Sequence, residues 1–231
     1  MTIPSDKPEA TLKPGLRQLS ATNGRVAVSR ETVLLRWLSD RGLCLATGER
    51  TVEFYRRLTA SRLPGVVEVV PADGMLLLVL APGMPMPAGL PELLDGLNGP
   101  PEMEPTMEHC IPVRFDGEDL PAIAGQAGYA EEGLIELLCS LTLGVKFLGF
   151  QPGFAYLDGL PPKLHLPRRP NPRKHVPAGS VALAGGYCGI YPLAGPGGWH
   201  LLGTTEAMLF DPAADPPARF RPGDTVKLVA T

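Results

Sequence analysis

The chain has 231 residues, 44% of them apolar, and a net charge of −3. That is material for one large domain or two small ones with a sizeable core, and the slight acidity argues against a nucleic-acid binder. No run approaches the roughly 18 apolar residues of a membrane span, and MTIPSDKPEATLKPG at the start lacks the apolar stretch of a secretory signal.

In chain order, residues 1–14 are polar and Pro-containing and read as a mobile tail. TVLLRWL at 32–38 reads as a strand. Residues 43–60 read as a helix, with Leu45, Val52, Tyr55 and Leu58 on one side and Glu49, Arg50 and Arg57 on the other. GVVEVV at 65–70 and MLLLVLA at 75–81 are two strand runs joined by the turn signal PADG. PELLDGL at 91–97 reads as a short helix. The order β-α-β-β-α predicts a small α+β domain of ferredoxin-like type over 15–98. The Pro- and acid-rich segment 99–109 reads as a linker.

CIPVRF at 110–115 reads as the next strand. GEDLPAIAGQAGYAEEGLIELLCS reads as two helices, and LTLGVKFLGF at 141–150 as a strand. Residues 151–231 hold 13 of the 27 prolines and 11 of the 27 glycines. Among them stand the short apolar runs SVALAG, CGIYPL, WHLLG and TVKLVA, which predict a β barrel or sandwich over 110–231.

Charge is segregated in this half. Residues 91–136 carry 11 acids and one base, Arg114; residues 159–205 carry Lys163, Arg168, Arg169, Arg173 and Lys174 and no acid. Either the two stretches pair across the fold, or the basic one is an anion site. Cys44, Cys110, Cys139 and Cys188 are far apart and His109, His165, His175 and His200 are scattered. Neither a metal site nor a disulfide framework is predicted, and reduced thiols fit a cytoplasmic protein.

Three segments carry the candidate chemistry. GFQPGFAYLDGLP at 149–161 places Pro152 and Gly153 in a type II turn between Phe150 and Phe154; such a turn either approaches a ligand or plugs a core. LPRRPNPRKHVPAGSVALAG at 166–185 is stiffened by prolines, so Arg168, Arg169 and Arg173 are held out as forks for a carboxylate or phosphate, or lie in a solvated loop. AGPGGWHLLG at 194–203 offers backbone N–H groups at Gly197 and Gly198 as an anion nest, or forms a tight turn with Trp199 as a plug. Ser180 lacks a nucleophile elbow, and no Walker or dinucleotide fingerprint is present.

Taken in order, GFQPGFAYL, PRRPNPRKHVPAGSVALAG, GIYPLAGPGGWHLLGTT, LFDP and PARFRPGDTVKLV resemble the family of the 5-oxoprolinase B subunit. That family also holds the kinase inhibitor KipI and proteins labelled allophanate hydrolase subunit 1, and is similar to half of the carboxyltransferase domain of urea carboxylases. The resemblance covers about 110–231 well and 15–105 weakly. It implies a ferredoxin-like N-terminal domain and a cyclophilin-like β barrel. It implies a homologous partner, the C subunit of the same enzyme, and a third, ATP-using subunit, which together open 5-oxoproline to glutamate; this chain is not active alone. By position it carries over Gly149, Phe150, Pro152, Gly153 and Phe154; Arg168, Arg169 and Arg173; Pro177, Gly179 and Ser180; and Pro196, Gly197, Gly198 and Trp199. The anion or substrate contacts are expected among Arg168, Arg169, Arg173, Ser180, Gly197 and Gly198, with ATP held largely by a partner and no metal in this chain.

The chain departs from the family at three places. Leu138 stands where members commonly carry His, and Tyr187 and Cys188 where they carry Gln and Thr. Leu cannot replace an imidazole in acid–base work. Two other readings follow: a KipI-like inhibitor of a sensor histidine kinase, or a carboxyltransferase half acting on biotin carboxylated on another protein.

Overall fold

A computed structural model describes residues 25–28, 31–96 and 107–231. The tail at 1–14 and most of the linker at 99–109 lie outside the described residues.

The N-terminal unit runs β1 (Arg25–Val28), β2 (Glu31–Trp37), β3 (Gly42–Ala46), α1 (Thr51–Ser61), β4 (Val66–Ala72), β5 (Met75–Leu80) and α2 (Leu90–Gly96). Its sheet has the order β1-β2-β3-β5-β4, every neighbour antiparallel. Because β5 lies between them and runs against both, β3 and β4 are parallel, with α1 as the crossover: a split β-α-β unit. Leu76, Leu78 and Leu80 alternate along β5 onto a core with Leu43, Leu45, Phe54, Leu58, Leu90 and Leu94.

The helix expected over 43–60 is two elements. Leu43 and Leu45 are buried in a strand paired on both sides. A 3-10 turn at Gly48–Arg50, opened by Gly48 at φ +56°, ends the strand run before α1 begins. The helix-like period over 43–60 is an accident of joining a two-residue to a 3.6-residue repeat.

The C-terminal unit continues with β6 (Glu108–Val113), α3 (Leu120–Ala127), α4 (Glu131–Ser140), β7 (Leu143–Leu148), β8 (Ala155–Asp158), β9 (Arg173–Val176), β10 (Ser180–Ala184), β11 (Tyr187–Ile190), β12 (Gly195–Gly197), β13 (His200–Thr204) and β14 (Thr225–Ala230). Glu108 and His109 of the expected linker are therefore in β6. Seven strands form one sheet, β13-β10-β11-β8-β7-β14-β6, with β6 and β14 parallel. The sheet curls until its two edges touch. Arg114, just past β6, and Thr204 exchange backbone bonds of 2.9 and 2.8 Å, so the sheet is a nearly closed barrel.

The two faces of this sheet differ. Val181, Leu183, Cys188, Ile190, Leu157, Val145 and Leu143 join Leu134 and Leu138 of α4 and Ile123 of α3 in an aliphatic core. The alternate positions, Ala182, Ala184 and Tyr191 with Phe154, Val176, Trp199 and Leu201, form a second, aromatic cluster. One bulge in β7 links them. The register with β8 shifts between Val145 and Phe147, so Phe147 joins the aromatic side and Leu148 returns to the aliphatic one.

Barrel closure requires backbone against backbone at Gly203, where a Cβ would overlap the Arg114 carbonyl. Gly203→Ala is expected to cost about 1–3 kcal/mol by overpacking, measured as a lowered urea midpoint with an unchanged slope.

Candidate functional site

The three segments singled out in the sequence meet on the aromatic face. β9 and β12 pair as a two-stranded ribbon, Gly197 opposite Arg173, and the Arg169 N–H donates to the Gly198 carbonyl at 2.8 Å. The basic loop and the glycine segment are thus one structure. The turn at 149–154 closes through the Gly149 N–H to the Phe154 carbonyl at 3.0 Å. Gly153 has φ +79°, and a Cβ there would come within 2.7 Å of Phe210, so only glycine fits. The Gln151 side chain lies against Gly195, which has no Cβ to block it.

Phe154 is the hub of the rings, 5.4 Å from Tyr191, 5.4 Å from Trp199 and 5.2 Å from Tyr156, each edge to face. Gly189 makes room for Phe154 and Trp199. Phe150 stands at the rim with φ +69° and 59% of its surface exposed. A bulky residue in the left-handed region is strained, and its exposure makes Phe150 a candidate functional position.

The segregated charges pair across the fold. Asp119, buried at the start of α3, accepts from Arg169 Nη1 at 2.6 Å, from Arg173 Nη2 at 2.8 Å and from the Leu201 N–H at 2.8 Å. Glu118 accepts from Arg173 Nε at 2.5 Å, and Arg173 Nη1 reaches the Trp199 carbonyl at 3.3 Å. Arg169 and Arg173 are therefore committed to α3. Arg168 is exposed and has no ion pair or hydrogen bond among the described residues. Burial pushes the Tyr191 phenol up, and the charges of Arg168 and Arg173 draw it back down.

Ser180 opens β10 on the aromatic side of the register and is buried; its carbonyl takes the Tyr191 N–H at 2.9 Å. Gly179, at φ +80°, packs on the Thr205 carbonyl. Pro177, just past β9, and Pro196, in the middle of β12, are exposed, as is Pro152 in the turn. Two buried polar atoms in this assembly have no hydrogen-bond partner: Gln151 Oε1 and Arg169 Nε.

A second polar group lies at the other end of the aromatic face, where the N-terminal unit touches it. Lys146, the extra residue of the β7 bulge, has 12% of its side chain exposed. Its Nζ is 3.5 Å from Asp73 Oδ1, 3.7 Å from Glu49 Oε2 and 5.8 Å from the Tyr187 ring centre. Burial first, then the neighbouring Asp73 carboxylate, raises the Tyr187 phenol well above its ordinary range. Burial also raises the Asp158 carboxyl, opposed by Lys146. No sequence motif points to this group. Its members are up to 138 positions apart, and the one local signal is a lysine inside the apolar run LTLGVKFLGF.

Of the three departures, only Tyr187 faces this side. Leu138 and Cys188 are fully buried in the aliphatic core on the opposite face, where burial pushes the thiol up to about 12. Among the described residues no group of three or more His, Cys, Asp or Glu could hold a metal, and no helix is long and apolar enough to cross a membrane. A cleft of about 750 Å³ lies elsewhere, beside the barrel seam, lined by Cys110, Arg114, Thr204 and Arg219 among others.

Known proteins resemble this chain in sequence and fold. Residues 25–220 match the family described as carboxyltransferase domain, subdomain C and D. The chain is 42% identical over 190 residues to the 5-oxoprolinase B subunit of Escherichia coli O157:H7, covering 80% of this chain and 86% of that protein. The protein of the same name from Haemophilus influenzae is 45% identical over 122 residues, 52% of this chain and 57% of that one. The crystal structure of TTHA0988 is 40% identical with a TM-score of 0.71, over 83% of this chain and 40% of that one. The Kluyveromyces lactis urea carboxylase shares the fold at 17% identity and a TM-score of 0.63, over 91% of this chain and 23% of that one. The chain thus spans less than half of those two solved chains.

Asp119→Ala strips two guanidinium groups of their buried partner. It is expected to destabilise the fold by about 3 kcal/mol, read by urea unfolding, and to open the 166–173 loop to proteolysis. Asp158 is the opposite case. A carboxyl whose folded pKa is raised holds its proton more tightly in the folded state, so stability falls as pH rises from 3.8 through the folded value. Asp158→Asn is expected to flatten that decline and to raise Tm at pH 7 in thermal melts across pH 3–7.

Proposed function

The chain belongs to the carboxyltransferase-domain family of subdomains C and D, and from that premise we propose that it works as the B subunit of an ATP-dependent 5-oxoprolinase-type complex. The observation that carries this reading is the 42% identity to a 5-oxoprolinase B subunit along most of both chains. The convergence of the 149–154 turn, the basic loop and the glycine ribbon on one face supports it, because these are the segments that carry the resemblance.

The partners in this reading are a homologous C subunit and a third subunit that binds ATP. Opening 5-oxoproline breaks the ring C–N bond; water supplies oxygen to the carbon, the nitrogen leaves as an amine, and ATP becomes ADP and phosphate. This chain's part is to bind and orient. Cationic and backbone donors at the Arg168 loop and at Gly197 and Gly198 face the substrate's anionic oxygens, where preorganised donors stabilise developing charge. The N-terminal unit is read as ferredoxin-like, on its split β-α-β unit, and the C-terminal unit, whose first strand opens at Glu108, as a cyclophilin-like barrel. A cytoplasmic location completes the reading. The family description favours a second one, a carboxyltransferase half that takes carboxylate from biotin on another protein.

Mixing the purified chain with the homologous C subunit and the ATP-using subunit tests both. The first reading expects 5-oxoproline-dependent ATP hydrolysis with stoichiometric glutamate, lost when any one component is left out. A stable complex that hydrolyses no ATP with 5-oxoproline, yet consumes carboxybiotin, would replace it with the second.

A further inference from the structure

We infer that Arg168, the Tyr191 hydroxyl and the Gln151 carboxamide oxygen form the substrate-recognition set, matched to a small cyclic amide that bears a carboxylate. Arg168 and Tyr191 take the carboxylate, and Gln151 Oε1 takes the ring N–H. The assignment rests on the proposed function and divides the labour of the basic loop: Arg169 and Arg173 build the site, and Arg168 reads the ligand.

Charge matching separates the three arginines. Arg169 and Arg173 face the two carboxylates of Asp119 and Glu118, so their charge is matched within the protein. Arg168, next in the same stiffened loop, brings a positive charge that no described residue answers. The N–H of the neighbouring Arg169 is bonded to the Gly198 carbonyl, next to the Gly197 on which the Tyr191 hydroxyl packs, and the Arg168 charge draws that phenol down against the effect of burial. The Tyr191 ring is 1% exposed and wedged among Phe154, Phe150 and Gly197, yet its hydroxyl makes no hydrogen bond with any described residue. A buried ring whose polar tip has no protein partner is a donor left for a ligand or for water.

Gln151 supplies the opposite polarity. Its Oε1 is buried and accepts nothing; a buried acceptor left unmet is costly, so a ligand donor there is favoured. Its amide end lies on Gly195, two residues along the ribbon from the Gly197 that abuts Tyr191. A cation and a hydroxyl along the same ribbon as an orphan acceptor call for a ligand with an anionic group and an N–H. The Phe150 ring at the rim gives the apolar part of a small ring a surface. A carboxylate alone would leave Gln151 unmet, and a neutral lactam would leave Arg168 unanswered.

Steady-state kinetics of the reconstituted complex with 5-oxoproline, alongside thermal melts, test this. Arg168→Ala is expected to raise KM at least roughly tenfold, with kcat changed less than about threefold and Tm unchanged, because Arg168 touches solvent and the lost contact is to a charged ligand group. Arg168→Lys keeps the charge and is expected to recover part of the loss. Gln151→Leu is expected to raise KM at least about fivefold, the loss of one hydrogen bond. A KM within about twofold of wild type in Arg168→Ala overturns the assignment; so does a fall in Tm that accounts for the loss of activity. If the wild-type complex shows no 5-oxoproline-dependent ATP hydrolysis, the proposed function fails, and recognition is then read by calorimetric titration of the full chain with 5-oxoproline. Heat abolished by Arg168→Ala upholds the recognition set, and heat that is absent or indifferent to that change overturns it.

Discussion

The buried carboxylate of Asp119 is the contact on which the arrangement of the site depends. It gathers two guanidinium groups from the 166–173 loop and a backbone N–H from β13, partners 50, 54 and 82 positions away. Without it, two arginines of a proline-stiffened loop that now share one carboxylate would lie side by side with nothing between their charges. With it, the loop lies along the glycine ribbon, and the ribbon holds Tyr191 and Gln151 in place. A carboxylate taken out of water is tolerable only when its lone pairs are filled this fully. The same constraint leaves Arg168 as the loop's outward-facing cation.

The barrel supplies the second half of the arrangement. Strand alternation sends mostly aliphatic side chains to one face and most of the rings to the other, so the aliphatic core and the candidate site lie on opposite faces. The β7 bulge breaks that alternation once, and there Lys146 enters beside Tyr187 under the Asp73 and Glu49 carboxylates of the N-terminal unit. The aromatic face therefore has two polar ends: one built within the C-terminal unit, the other shared between the units. The first carries the sequence motifs; the second carries the one departure that faces the site, Tyr187.

Much of this is legible in the sequence, and the exceptions have physical reasons. Strands β2, β4, β5 and β6 and helices α2, α3 and α4 show in local periodicity and turn signals. Strand β3 merges with α1 in the pattern because five residues are too few for a two-residue repeat to declare itself. Strands β8, β9 and β12 are hidden by prolines and glycines that serve a ribbon and a turn rather than a long ladder. The basic and acidic stretches are visible as charge, but not that Asp119 takes Arg169 and Arg173 and spares Arg168. That outcome is set by the tertiary approach of α3, which no local pattern encodes. Leu138 and Cys188 look in the sequence like changes in the site and are core residues, because a residue's face on a barrel is known only once register is fixed.

The most direct measurement is a crystal structure of this chain with 5-oxoproline and the homologous C subunit proposed as its partner. The expected result is ligand density against Arg168, the Tyr191 hydroxyl and Gln151 Oε1, with Arg169 and Arg173 still on Asp119. Density that instead occupies the Lys146–Tyr187 end, or a ligand carboxylate that draws Arg173 off Asp119, would contradict it.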